Sequence, residues 1–359
     1  MKRLLSILSF LVALLVLARG QASAQTPTAD LPPAEAIAVP SEQLMIASPP
    51  TEPPVAESDS LLTAILGRWS PDVLLAPLEQ LPLTINGFAA VDSWRGPSDG
   101  HFQNNNGFKK GLNVGGLLPV LGEYGIGAQL GASYGLYDST GRASAANAGN
   151  EIQQQTFITG GFFRRATPEL PLAGGVVYDG MINDSFGVFA QSPYLSQFRL
   201  QLGYLITPGD ELGFWMTQHG PGNTHYPDGI ATSFRGVNQY NLFWHHHYQR
   251  SSGDTWSWIG VPNHHRLDGD GSLGQLILGS AGSVPLSERT TMYAVANYMM
   301  PSSRPSAEGS TQDSFYVGFG VSHFIGPKAR HATAAGNAGE AYLPVADNAT
   351  FFVDTTRTL

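Results

Sequence analysis

The segment from residue 124 to residue 137 alternates strictly between apolar side chains and small or polar ones. Successive side chains of a β-strand point to opposite faces, so this alternation predicts a strand with one apolar and one polar face. The apolar set is Tyr124, Ile126, Ala128, Leu130, Ala132, Tyr134 and Leu136. Its two tyrosines stand about ten residues apart, which is roughly what a tilted strand needs to cross a bilayer. Aromatic ends on an apolar band are typical of lipid-facing strands.

Similar runs recur to residue 327 and are separated by turn signals such as Pro208-Gly209-Asp210 and Ser251-Ser252-Gly253-Asp254. Connections of only a few residues force antiparallel hairpins. Short and long connections alternate along the chain, as in transmembrane barrels. The predicted strands are 83–95, 108–120, 124–138, 153–166, 170–183, 194–208, 210–220, 236–250, 254–262, 272–284, 289–300 and 311–326. The pattern therefore predicts an all-β fold, an antiparallel up-and-down β-barrel of about 12 strands (10–14) of the outer-membrane type, over residues 80–327.

The N-terminal residues are predicted to lie outside the barrel. Residues 1–24 combine Lys2 and Arg3 with an apolar run and a small-residue cleavage site, which indicates a secretory signal peptide; an N-terminal membrane anchor is the alternative. Residues 25–58 are rich in proline and predict a disordered linker. Residues 59–70 predict one short helix, packed at the barrel edge or lying at a membrane surface.

Composition excludes several classes of protein. The formal charge of −9 becomes −12 without the signal peptide, and there is no basic stripe, so nucleic acid is not an expected partner. The chain has no cysteine, which excludes thiolate metal sites, iron–sulfur clusters and a cysteine nucleophile. Charged residues make up only 13% of the chain, which favours alternating strands over a soluble helical enzyme.

Two sets of residues are candidates for function. If the apolar faces meet lipid, the polar faces share an interior. The candidate lumen-lining residues are Gln129, Ser133, Arg199, Gln201, Asn241, His245 and His247, and the candidate aromatic girdle consists of Tyr124, Tyr134, Tyr204, Tyr240 and Trp244. A narrow barrel with such a lumen is either an open pore or a plugged one.

The histidines and serines give weaker signals. His245 and His247 share a strand face at a spacing that suits one metal ion, but no carboxylate or cysteine completes a recognisable pattern, so we predict no metal site and no cofactor. No Gly-x-Ser-x-Gly motif is present, and no catalytic residue is predicted.

The C-terminal extension, residues 328–359, is too apolar to be simply solvated. It contains Tyr342-Leu343-Pro344-Val345 and Phe351-Phe352-Val353. We expect it to pack on or inside the barrel, so that truncation after Pro327 lowers thermal stability.

Part of the chain resembles a known group of sequences. The run from Leu343 to Asp354, the run from Tyr124 to Gly131 and the segment Val176-Val177-Tyr178-Asp179 resemble a family of uncharacterised secreted proteins from planctomycete bacteria. The resemblance covers about residues 80–359. It implies an exported protein of a double-membraned bacterium and supplies no functional residues, because that family has no assigned activity.

Three functions remain open from the sequence. The first is an outer-membrane barrel, either a passive porin-like channel or a structural membrane protein, with membrane lipid and small solutes as partners. The second is a soluble secreted β-sandwich that serves as a binding or surface-layer module. The third is an outer-membrane hydrolase built on a barrel.

Overall fold

The computed structural model describes residues 83–96, 104–143, 150–167, 170–187, 190–226, 229, 231–263, 274–301, 314–325 and 341–358. The predicted signal peptide, linker and short helix (residues 1–70) lie outside the described residues, as do the first residues of the C-terminal extension. None of the helices in the described part of the chain is long and apolar enough to cross a membrane.

The predicted barrel is confirmed. Twelve antiparallel strands close on themselves, with the last strand paired to the first through Ile85 opposite Ile325 and Arg95 opposite Phe315. The barrel strands are β1 (Leu83–Arg95), β2 (Asn105–Leu117), β3 (Ile126–Ala143), β4 (Asn150–Arg164), β5 (Leu172–Asp184), β6 (Tyr194–Thr207), β7 (Asp210–His219), β10 (Gln239–Tyr248), β11 (Gly253–Pro262), β12 (Gly274–Pro285), β13 (Thr290–Pro301) and β14 (Ser314–Ile325). The β-sandwich alternative is wrong, because the twelve strands close into one barrel instead of forming two sheets packed face to face.

Three short strands form a separate sheet that the sequence patterns did not predict. β8 (Asn223–His225) and β9 (Ala231–Gly236) lie in the connection between β7 and β10, where only a long loop was expected. β15 (Val353–Thr358), from the C-terminal extension, pairs with β9. β8 has only three residues, and β9 (Ala-Thr-Ser-Phe-Arg-Gly) and β15 (Val-Asp-Thr-Thr-Arg-Thr) contain too few apolar residues to show an alternation.

The start of the third strand also differs from the prediction. Tyr124 was expected at the end of a strand, but it closes a 3-10 helix, Leu121–Tyr124. Gly125 follows in the left-handed conformation at a φ of 74°, which turns the chain before β3 begins. Tyr124 is therefore an exposed turn residue, and the strand starts two residues later.

Connections between consecutive strands alternate between the two ends of the barrel. Residues 118–125, 165–171, 208–209, 249–252 and 286–289 connect strands at one end, here called the short-turn end because it holds the tightest turns, 208–209, 249–252 and 286–289. The opposite end, the long-loop end, holds the connection with β8 and β9. Because the strands alternate in direction, β1 and β14 meet with the first residue of β1 and the last residue of β14 at the short-turn end.

The outer face of the barrel is apolar on every strand. Each of the twelve barrel strands carries at least one large apolar side chain that is more than a third exposed: Val91, Leu112, Leu130, Phe162, Val176, Phe198, Leu212, Leu242, Ile259, Val284, Met300 and Phe319 are one such residue from each strand in order. The outward alternation seen in the sequence of β3 therefore extends around the whole barrel.

Candidate functional site

All seven candidate lumen residues lie on the inner face. Gln129, Ser133, Arg199, Asn241, His245 and His247 are buried, and Gln201 is half-buried. Their alternation with exposed residues such as Leu130 follows the two-residue period of the strands. That these seven residues line a path for solutes stays a prediction, because in the structure most of their side chains contact other protein groups.

The five candidate girdle residues lie at different heights on the outside of the barrel. Tyr204 and Trp244 both lie opposite Leu212 of β7, toward the short-turn end, where Tyr124 is also exposed. Tyr240 lies at the long-loop end of β10, whereas Tyr134 lies at the middle of β3 and donates a hydrogen bond to Gln154 at 2.6 Å. Aromatic rings toward both ends of an apolar band are the arrangement found at the two interfaces of a membrane.

The C-terminal segment from Ala341 to Phe352, here called the lumen segment, runs through the barrel interior from the short-turn end. At its start, Arg165 donates to the carbonyl of Ala341 at 2.8 Å. Gln129 then makes a bidentate contact with Leu343: its Nε2 donates to the Leu343 carbonyl at 2.8 Å, and its Oε1 accepts from the Leu343 backbone N–H at 3.1 Å. Asn113 donates to the same carbonyl at 3.0 Å.

Further along, residues 344–348 of the lumen segment stay against β2 to β6, before Asn297 of β13 and Gln239 of β10 bond the carbonyls of Ala349 and Thr350. Arg199 donates to the Pro344 carbonyl at 2.7 Å, and the backbone N–H of Ala346 donates to Thr159 at 2.9 Å. The amides of Gln155 and Asn348 exchange two hydrogen bonds, the shorter at 2.8 Å. The inner-face amides and hydroxyls thus satisfy the backbone of a segment that has no regular secondary structure of its own.

The lumen segment ends at the long-loop end under an aromatic cap, formed by Trp94, Tyr137, Phe186, Phe234 and Phe351. Trp94 stacks on Phe186 at 5.8 Å between ring centroids, and Phe186 meets Phe234 of β9 edge-on at 6.0 Å. All five rings are at most 4% exposed. The short strand β15 follows directly, so the chain passes through the barrel and is fastened beyond it.

Two buried ion pairs brace the interior. Arg199 meets Asp179 at 3.1 Å, with Asp179 fully buried and also accepting from Thr159 at 2.7 Å. Lys109 lies 2.7 Å from Asp347 of the lumen segment and 3.7 Å from Asp92. Sequence reasoning named Arg199 but missed the other charged residues. The strand period alone would have placed Asp179 and Lys109 inside, whereas nothing local indicated the partner in the extension.

The histidine run forms a carboxylate network at the short-turn end. One nitrogen of His245 lies 3.0 Å from Glu211 and the other 2.9 Å from Asp254, which also lies 3.0 Å from His247. A histidine donates from both ring nitrogens only as the imidazolium. Tyr342 of the lumen segment donates to Glu211 at 2.9 Å. Within the described residues no group of three or more His, Cys, Asp or Glu side chains has an arrangement that holds a metal ion.

A cavity of about 380 Å³ lies beside the lumen segment. The segment is held mainly against β2 to β6, and most of the cavity lies on the opposite side, along β7, β10 to β14 and β1, although its lining also includes residues of β2 and β6. Ser252 and Pro285, at the ends of two short connections, belong to its lining, so the cavity reaches the short-turn end. The inward residues of β12 beside the cavity are small, which leaves this side of the lumen unfilled: Ala281 and Ser283.

Inward-facing glycines make room for the lumen segment. A Cβ at Gly175 would lie 2.2 Å from Leu343 Cδ1, so Gly175→Ala should destabilise the seated segment by about 1–3 kcal/mol through overpacking. Gly160→Ala is the matched control, because its Cβ points to the outer face and meets only Leu130 at 3.4 Å. Proteolysis of a C-terminal epitope and thermal unfolding measure the effect.

A second substitution checks the cause of that loss. In a Leu343→Ala background the contacting methyl group is absent, so Gly175→Ala should cost much less than in the original chain. Equal costs in both backgrounds would mean that the glycine does not act through the lumen segment.

Comparisons with known proteins identify one family, and they find solved β-barrel structures of low sequence identity. A family described as a family of unknown function, DUF6666, matches residues 84–353. No curated protein matches the chain.

Among solved structures, the COG4313 outer membrane channel from Pseudomonas putida F1 is similar at 7% identity and a TM-score of 0.45, over 68% of this chain and 97% of that one. The toluene transporter TodX of Pseudomonas putida is similar at 9% identity and a TM-score of 0.37, over 72% of this chain and 93% of that one. The anion-selective porin from Comamonas acidovorans is similar at 12% identity and a TM-score of 0.29, over 68% of this chain and 99% of that one. Similarity this low carries no information about function.

Proposed function

We propose that this chain, which belongs to the DUF6666 family of unknown function, is an outer-membrane β-barrel channel closed by its own C-terminal segment. Membership of a family of unknown function gives no activity to this chain, so the proposal rests on the structure of the barrel itself. The observation that carries it is a closed barrel with an apolar outside on every strand and a polar inside threaded by Ala341–Phe352.

The outer face supports a location in lipid. Monomeric soluble proteins rarely expose contiguous apolar patches above a few hundred Å², whereas here apolar side chains surround the molecule. The cation Lys110 lies on this face between Phe108 and Leu112. Its long side chain has the reach to extend along the barrel toward the headgroups.

The inner face supports a channel rather than a purely structural barrel. The lumen segment is held over much of its length by hydrogen bonds to Gln129, Asn113, Arg199 and Thr159, all groups that bind water equally well once the segment leaves. A polar wall of this kind tolerates hydration, which an apolar core does not. We therefore expect full-length protein in planar bilayers to be closed for most of the time.

Cell fractionation tests the location. We expect the protein in the outer-membrane fraction, dependent on detergent for solubility, and migrating faster on a gel when unheated because the closed barrel resists unfolding. Recovery of a monomer that dissolves in plain buffer would overturn the proposal.

A single substitution tests the lipid contact directly. Leu130 is 64% exposed on the outer face of β3, between Tyr124 and Tyr134, and Leu130→Arg should cost about 2–4 kcal/mol of unfolding free energy in phospholipid vesicles. On a surface facing water the same change usually stays within about 0.5 kcal/mol. Leu121→Arg is the matched control, because Leu121 is exposed in a turn outside the apolar belt. Equal and small effects at both positions would show that the outer face is wetted by water.

The enzymatic alternative gains no support from the histidine network. The described contacts of His245 and His247 are to carboxylates rather than to a hydroxyl nucleophile.

A further inference from the structure

We infer that the cavity beside the lumen segment is a binding site for a small, neutral, planar aromatic molecule. The inference is independent of whether the barrel conducts, because the cavity exists with the lumen segment in place. Its volume of about 380 Å³ falls in the range of roughly 300–1,000 Å³ that small-molecule sites occupy.

The shape of the cavity comes from an uneven distribution of side-chain sizes. Large rings line it from six different strands: Phe88, Trp215, Phe243, Trp256, Trp258, Tyr293 and Phe324. The inward row of β12 contributes only small residues to the lining, Ala281 and Ser283, before it ends at Pro285. Seven rings around an unfilled space give flat surfaces on several sides, and flat π-faces favour offset or edge-to-face contact with another aromatic ring.

The charges of the lining favour a neutral ligand. Lys109 already pairs with Asp347 at 2.7 Å, and Arg199 pairs with Asp179 at 3.1 Å. Both Glu211 and Asp254 lie within 3.0 Å of His245. An ionic ligand would have to break one of these buried pairs. The charged side chain that lost its partner would then be buried without an opposite charge, which costs free energy.

The hydrogen-bonding groups of the lining argue against a sugar. The Nδ2 amide of Asn113 is committed to the Leu343 carbonyl, and Arg165 to the Ala341 carbonyl. Among the described residues, the Oδ1 atoms of Asn86 and Asn113 are acceptors of lining residues without a partner. A ligand with one or two hydroxyl groups suits these acceptors, whereas a monosaccharide has more hydroxyl groups than they can satisfy.

The access route runs from the short-turn end. The aromatic cap blocks the long-loop end, while Ser252 and Pro285 of the lining lie at short connections. A molecule would therefore enter beside the lumen segment, past Tyr342 and His245, rather than through the cap.

Titration with 6-bromo-2-naphthol tests the site on the full-length protein in detergent. The probe is neutral and planar, carries one hydroxyl group, and quenches tryptophan fluorescence through its bromine; three of the chain's six tryptophans line the cavity. We expect saturable quenching with one site per chain. Ala281→Phe, which fills the cavity from β12, should weaken binding by about tenfold or more, whereas Leu278→Phe on the outer face of the same strand should leave it unchanged.

Each other outcome overturns the inference. Linear quenching of equal slope in the three proteins would mean that the probe only dissolves in the detergent micelle. Competition by glucose or by 2-naphthoate as strong as that by unlabelled 2-naphthol would refute the neutral, planar class. If Ala281→Phe loses its heat-modifiable migration, Ser283→Leu replaces it as the cavity-filling variant, and retained binding in that variant would contradict the proposed site.

Discussion

Deletion of residues 341–359 is expected to convert a closed barrel into a steady, water-filled pore. The deletion removes the backbone carbonyls of Leu343 and Pro344, to which the side chains of Gln129, Asn113 and Arg199 donate hydrogen bonds. It also removes Phe351 from the aromatic cap and Asp347 from its pair with Lys109. Water then solvates the exposed polar wall, so the lumen fills rather than collapses. Single-channel recording should show a resolvable steady conductance that the full-length protein lacks.

The same deletion should lower stability by several kcal/mol. Leu343, Val345, Phe351, Phe352 and Val353 are each at most 6% exposed, and burial of each such side chain contributes about 1.5–3 kcal/mol before the entropy of ordering the segment is subtracted. Thermal unfolding in detergent measures the loss, which should exceed that of any single substitution in the segment.

A shorter deletion is the matched control. Removal of residues 356–359 shortens β15 but leaves the whole lumen segment, so the barrel should stay closed. If the longer deletion gives a folded barrel with no conductance, the channel proposal fails while the membrane location stands. If the longer deletion does not fold, the Gly175→Ala variant provides the opening test, because it disturbs the segment at Leu343 without shortening the chain.

Arg199→Met is expected to destabilise the barrel by about 3–5 kcal/mol, because it leaves the Asp179 carboxylate buried without a cation. Asp179 is fully buried, and the guanidinium at 3.1 Å is its opposite charge. Thr159 and Gln197 also bond this carboxylate, but neutral donors compensate a charge only in part. The substitution also removes the hydrogen bond to Pro344, so the lumen segment should loosen together with the wall.

The double variant Arg199→Met, Asp179→Asn separates the two effects. An amide in place of the carboxylate removes the uncompensated charge, so the double variant should be more stable than Arg199→Met alone. Unfolding free energies in vesicles measure the difference. A double variant less stable than either single one would show that the charge of Asp179 is solvated by some other route.

Much of the fold was predictable from local sequence. Alternation in segments such as 124–137 and 194–208 reflects a two-residue period that every strand imposes, and closely spaced turn residues fix antiparallel neighbours. Once each strand has an inner and an outer face, the position of Gln129 inside and Leu130 outside follows. Tyr124 was misplaced because Gly125 changes the backbone conformation at a point where the polar pattern continues unchanged.

The sequence by itself thus determined which side chains face inward and which face outward, because that depends only on the period of the strand. The tertiary structure alone decided what fills the interior. Gln129 to Leu343, Lys109 to Asp347 and Gly175 to Leu343 join residues that lie far apart in the chain, and no local pattern records which distant partner a polar side chain will meet. The same holds for the cavity, which is the volume left between the segment on one wall and the small residues of β12 on the other.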